Sequence, residues 1–135
     1  MIDDKELSTC KWKWCQRTLY SHKTKGFIIK MTPIELYNKI DEIDRCEICN
    51  KILAWIPNGT CANNSPTLDR IFNDAIIEKD NTQIICHRCN RMKQDMNIPE
   101  LVEWAGHIVC KYYPTGKLIS DCKALLEKNG YRVTK

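Results

Sequence analysis

The 135-residue chain contains no run of about eighteen consecutive apolar residues, so nothing in it reads as a membrane-spanning helix. Its start, Met1-Ile2-Asp3-Asp4-Lys5-Glu6-Leu7, is acidic and polar where an export signal needs a basic and then an apolar stretch. The expectation is an intracellular, cytoplasmic protein. There is no obvious flexible linker and no internal repeat. Aromatic residues are scarce at 8%, and hydrophobic residues make up 43%, which suits one modest domain in which a metal staple would contribute to folding.

Cysteine, by contrast, is plentiful: nine residues, an odd number, in a chain without an export signal. Two Cys-x2-Cys pairs, Cys46/Cys49 and Cys86/Cys89, have the spacing of zinc knuckles, in which four thiolates close a tetrahedral site and tie together distant chain segments. Disulfide pairing of the four is the weaker reading in such a chain. Cys10 and Cys15, with His22 after them and Cys110 or Cys122 elsewhere, are candidates for a second zinc site; buried free thiols are the plainer alternative.

An excess of one charge sign is also missing. The formal net charge is +4, and four zinc-bound thiolates with their dication would bring it near +2. Distribution says more about nucleic acid than the total does. Lys11, Lys13, Arg17, Lys23, Lys25 and Lys30 crowd the first thirty residues, and Arg88, Arg91 and Lys93 cluster around the second knuckle.

Three stretches are expected within one compact α+β domain: a basic, Cys- and Trp-containing segment over 1–30, a zinc-bound core over 31–110, and a helical extension over 111–135. Phe27-Ile28-Ile29 reads as a short strand. If the segment before it is also extended, Trp12 and Trp14 lie on one side, able to stack on unpaired bases or, more simply, to pack on the core. Thr32-Pro33-Ile34-Glu35 reads as a capped helix start, with Leu36, Ile40 and Ile43 on one face. Asn50 suits a left-handed knuckle position, Ile52 to Ile56 a strand, and Pro57-Asn58-Gly59 a turn. Thr67 to Phe72 and Gln83 to Cys86 form a hairpin, and a helix starts near Cys89. Asn97 opens another, with Leu101, Trp104 and Ile108 as a packing stripe. Lys117 to Asn129 reads as a final helix stopped at Gly130, in which Leu118, Cys122, Leu125 and Leu126 either close the core or pair two chains.

Leu68-Asp69-Arg70-Ile71, an Asn at position 81 and Cys86-x2-Cys89-Asn90-x2-Lys93 together resemble the HNH, or ββα-metal, endonucleases. The likeness is greatest to phage-type members with an Asp-Arg-Ile strand, and the zinc-bracketed arrangement is similar to recombination endonuclease VII. The resemblance covers roughly residues 27 to 109. It implies a small zinc-stapled hairpin-plus-helix module with flanking helices, a structural zinc, a catalytic magnesium or manganese ion, and cleavage of duplex or branched DNA. Carried over by position, Asp69 and Asn90 bind the divalent ion, while Asn81 orients the base or secures the hairpin loop. Arg70 occupies the place where many members carry a water-activating His. Asp69, Arg70, Asn81 and Asn90 are therefore the candidate catalytic set, with Arg88, Arg91 and Lys93 as candidate phosphate contacts.

Three readings stay open at single positions. Asp69 is alternatively a strand-end acid bonded to nearby amides, and Asn90 a helix cap. His87, inside the second knuckle, is an exposed knuckle residue, a support to the zinc ligands or a displaced base. Phe72 stands where the family has a second acid, for which Asp74 is a substitute, and Ile76-Ile77 replaces a Gly-Tyr turn. These departures allow an alternative: a noncatalytic zinc module that binds nucleic acid without cutting it.

Overall fold

The computed structural model describes residues 3–55 and 61–112, together with the single positions 121, 124, 127 and 128. The Pro57-Asn58-Gly59 turn and residues Leu118, Cys122, Leu125 and Leu126 lie outside the described residues. Of the expected final helix, Asp121, Ala124, Glu127 and Lys128 are described, and they are helical and exposed.

The first segment is a helix, not a strand: α1 spans Asp4–Thr24. Asp3 caps it by accepting from the Glu6 amide at 2.7 Å. At its other end Gly26, at φ 94°, lets the Gly26 amide donate to the Lys23 carbonyl and the Phe27 amide donate to the His22 carbonyl. That 5→2 and 6→1 pair is a Schellman stop. Residues two apart on a helix diverge, so Trp12 and Trp14 do not share a side. Trp12 meets Tyr37 edge-on at 5.9 Å and Trp14 meets Trp55 at 5.3 Å.

The inward face of α1 is an unusual mixture of Leu7, Lys11, Cys15 and Leu19. Lys11 is buried because its ammonium donates to the Ile40 and Asp41 carbonyls, at 3.3 and 2.9 Å, closing the end of the next helix, and lies over the Trp55 ring. It therefore does not belong to the surface charge counted from sequence. Helix α2 (Pro33–Ile40) has the full Thr32/Glu35 capping box and turns Leu36 and Ile40, both fully buried, toward α1.

Strand β1 (Ile28–Ile29) pairs in parallel with β3 (Ile76–Ile77). Strands β2 (Pro66–Arg70) and β4 (Thr82–Cys86) pair antiparallel, with Asp69 opposite Gln83 and Pro66 opposite Cys86. The expected hairpin is thus a wide one, whose connection contains β3 and a 3-10 turn over Lys79–Asn81. Ile52 makes only an isolated bridge to Arg45, and no strand runs through Ile52–Trp55 among the described residues.

Helix α3 (His87–Lys93) starts at His87, two residues before the expected place, because the Cys86 sulfur acts as its cap, accepting from the Cys89 amide. One continuous core joins Cys15, Leu19, Leu36, Ile40, Leu53, Leu68, Ile77, Ile84 and Ile85. Each fully buried Leu or Ile stabilises it by about 1.5–3 kcal/mol.

Helix α4 (Ile98–Tyr112) corrects one expectation outright. Trp104 and Ile108 are 61% and 59% exposed, and no α4 residue is buried, so their stripe is not core packing. The helix is held at its start, where the Ile98 amide donates to the Ile71 carbonyl and the Asn97 side chain accepts from the Asn73 amide.

Candidate metal centre and hairpin site

The sulfurs of Cys46, Cys49, Cys86 and Cys89 all lie within 4.8 Å of one another, a grouping that can bind a metal such as zinc. Local backbone explains how. In the first knuckle Asn50 takes φ 64°, so that its amide donates to the Cys46 carbonyl while the Cys46 amide donates to the Lys51 carbonyl. The knuckle then docks on the outer edge of β4: the Glu47 amide donates to the Ile84 carbonyl and the Glu47 carboxylate accepts from the Ile84 amide. The second knuckle is β4 passing into α3, whose first amides, on His87 and Arg88, donate to the Ser65 and Asn63 carbonyls.

The cluster's electrostatics favour one ionised sulfur, that of Cys46. The Cys89 thiol and the Cys49 and Cys86 amides all point hydrogens at Cys46, drawing its pKa down to about 4 from 9.0. Cys89, as donor to that thiolate, is pushed up, and burial pushes Cys49 up. Thiolates packed this closely repel, so full ionisation calls for a cation among them.

Cys10, Cys15, His22 and Cys110 form no such group among the described residues, and Cys122 lies outside them. Five helical residues place Cys10 and Cys15 on different sides of α1. Cys15 is fully buried, and burial raises its pKa to about 12.

At the hairpin, Asp69 is 7% exposed and neither a strand-end acid on backbone amides nor a free one. Its Oδ2 accepts from Gln83 Nε2 at 2.9 Å and its Oδ1 from Lys93 Nζ at 3.2 Å. Lys93, counted from sequence as a phosphate contact, is wholly buried and also donates to the Arg70 carbonyl at 2.9 Å. Its ammonium is spent inside the fold, which takes it off the surface available to nucleic acid.

Asn90 lies one turn before Lys93 on α3, half-buried; the helix cap is Cys86. Arg88 and Arg91 are exposed on the same helix, and His87 is its half-buried first residue. Arg70 sits over the Phe27 ring at 4.4 Å, and its guanidinium donates to the Asp74 carbonyl.

Asn81 holds the hairpin connection together. Its Oδ1 accepts from the Phe72 amide at 2.8 Å, while its Nδ2 donates to the Phe72 carbonyl at 2.9 Å and to Asp74 Oδ1 at 3.1 Å. Asp74 also accepts from the Ile76 amide, so its carboxylate closes a turn. Phe72 is 55% exposed.

The sequence reading missed α1 as a contributor to this region. Trp14, Arg17, His22 and Lys25 line a groove against β2 and Asn90. Asp3 followed by Glu6, with Gly26 at the far end, was the available signal for that helix.

No family model, no curated protein and no solved structure matches this chain. The motif residues and their geometry therefore carry the functional argument alone.

Proposed function

We propose that this protein is a zinc-stapled, metal-dependent DNA endonuclease of the ββα-metal type, which hydrolyses phosphodiester bonds to nick DNA or cut branched DNA. The supporting observation is that β2 pairs with β4, which leads directly into α3, with Asp69 on the first of these strands and Asn90 on the helix, while the cysteine cluster ties that helix to the first knuckle. Zinc is the structural metal at Cys46, Cys49, Cys86 and Cys89.

A hard divalent ion, magnesium or manganese, is proposed to take oxygen ligation from the Asp69 carboxylate by displacing Lys93 Nζ, which now holds Oδ1 at 3.2 Å. Asp69 and the Asn90 amide oxygen are the protein ligands. When bound, the ion supplies charge stabilisation at the scissile phosphate and the leaving 3′ oxygen. Arg70, always protonated at neutral pH, grips phosphate and does not take a proton from water. Arg88 and Arg91 hold the DNA backbone, and Asn81 keeps the Arg70–Asp74 connection in shape.

A second reading has its own support: both Asp69 oxygens are engaged, and Phe72 replaces an acid. In it the module binds nucleic acid without cleaving it. Zinc-loaded protein incubated with supercoiled plasmid and with a four-way junction, plus magnesium or manganese, separates the two. Cleavage that is lost in Asp69→Asn with zinc content intact supports the enzyme. Salt-sensitive binding with no cleavage at any protein concentration removes it.

A further inference from the structure

The groove between α1, β2 and α3 has a volume of about 420 Å³, and no carboxylate lines it. Its α1 wall carries Arg17, Ser21 and the C-cap Lys25, four residues apart along one stripe, with His22 at its edge. The opposite wall carries Thr67 of β2 and Asn90 of α3.

Arg17 and Lys25 are exposed and, among the described residues, take part in no ion pair, whereas Lys93 is buried against Asp69 and Lys11 is buried on backbone carbonyls. Two cations outside any ion pair face a floor that mixes Thr67 and Asn90 with Pro66 and Leu68. The His22 ring is fixed by a 2.8 Å hydrogen bond from Nδ1 to the Thr18 carbonyl, so that wall is held in place. Thr67 donates its hydroxyl hydrogen to the Ile85 carbonyl, which fixes the floor as well.

We propose that this groove is a binding channel for a nucleic-acid backbone, in which Arg17 and Lys25 hold phosphates and Ser21 and Asn90 donate hydrogen bonds to the same strand. Charge complementarity decides the occupant. Two free cations and neutral donors without any acid suit a chain of regularly spaced monoanions, and the contacts carry no base-edge readout, so binding is largely independent of sequence. The assignment deepens the nuclease reading because Asn90 belongs to both sites. It makes α1, which lies outside the hairpin-and-knuckle module, part of the substrate surface.

The test is fluorescence anisotropy of a labelled oligonucleotide, single-stranded and duplex, with zinc-loaded full-length protein and no added divalent ion. Arg17→Gln/Lys25→Gln is compared with Lys5→Gln/Lys23→Gln, which removes the same charge from the opposite flank of α1. Circular dichroism and zinc content check the fold of each. The groove pair is expected to weaken binding about tenfold and to reduce the slope of log affinity against log salt by about 1.5, with the control pair changed far less.

Equal losses in both pairs, no loss in the groove pair, or no binding by the wild type would each overturn the proposal. Competition by poly-glutamate as effective as that by unlabelled DNA would also overturn it, by showing a general acidic-partner surface. Cleavage is scored separately. A protein that binds through the groove yet never cuts DNA sustains this inference and removes the nuclease, whereas undiminished binding and cleavage in the groove pair removes only this inference.

Discussion

The Lys93 ammonium lies 3.2 Å from the Asp69 carboxylate with both side chains buried, at 0% and 7% exposure. A charge pair in such a place is held by mutual need. Burial costs each ion several kcal/mol of hydration, and the pair with its further bonds to Gln83 and the Arg70 carbonyl offsets that cost.

Lys93→Met therefore leaves a buried carboxylate without its counter-charge and is expected to cost about 3–5 kcal/mol in urea denaturation. Asp69→Asn leaves the reverse charge and is expected to cost a similar amount. The double variant should be far less damaged than the two single losses added together, since no lone charge remains. Additive losses would show that the two groups do not interact in solution.

Removing the Asn81 side chain opens three hydrogen bonds at once. Asn81→Ala is expected to destabilise the protein by about 1–3 kcal/mol, mainly through partly buried backbone groups at Phe72 left without partners. Hydrogen exchange should locate the effect, with the Phe72 amide losing protection while the Ile84 amide, bonded to Glu47, keeps it. Uniform loss across both would assign Asn81 a global role instead.

Much of this architecture was legible in the chain because local chemistry and long-range order agreed. The Thr32/Glu35 box, the left-handed Asn50 and the two knuckles each rest on a few neighbouring residues. What escaped depends on tertiary partners. Helix α1 hid behind an inward face containing Lys11 and Cys15, whose burial makes sense only once Lys11 is seen closing the end of α2. The burial of Lys93 was invisible for the same reason: a basic residue on a short helix looks solvated until the carboxylate across from it is located. The α4 stripe failed in the opposite direction, since apolar periodicity reports an amphipathic helix but not whether a partner covers it.

Metal removal should separate the four clustered thiols from the rest. The protein is expected to hold one zinc per chain, with Cys86→Ser losing it and unfolding the second knuckle. Cys61→Ser, at an exposed thiol, should leave it unchanged. Because the ligands must shed protons to bind, acidification weakens the site and chelators act faster at low pH. Zinc analysis on both variants checks this; retention of full zinc by Cys86→Ser would contradict the four-sulfur centre.

Cys15 predicts an alkaline weakness. Burial raises its pKa from 9.0 to about 12, so the folded state favours the protonated thiol. A raised pKa contributes stability that is complete below the unfolded value and fades as pH climbs through the folded one. The stability advantage of wild type over Cys15→Ala should therefore shrink between pH 9.0 and about 12. A constant difference across that window would mean that the thiol does not stay protonated in the core.

Arg70 poses the sharpest test of the nuclease proposal, because part of its guanidinium already makes contacts within the fold. It rests on the Phe27 ring at 4.4 Å and donates to the Asp74 carbonyl, so it braces β2 against the end of α1 and the hairpin connection. Arg70→His gives up that brace, at about 0.5–1 kcal/mol for the ring contact alone. In exchange it introduces a group able to take a proton from water near neutral pH. If Asp69 lies beside the attacking water, manganese-dependent plasmid nicking should rise by about tenfold or more even as the variant becomes slightly less stable. Activity unchanged or lower in a folded, zinc-loaded Arg70→His protein would place position 70 away from the reacting phosphate and leave Arg70 as a brace.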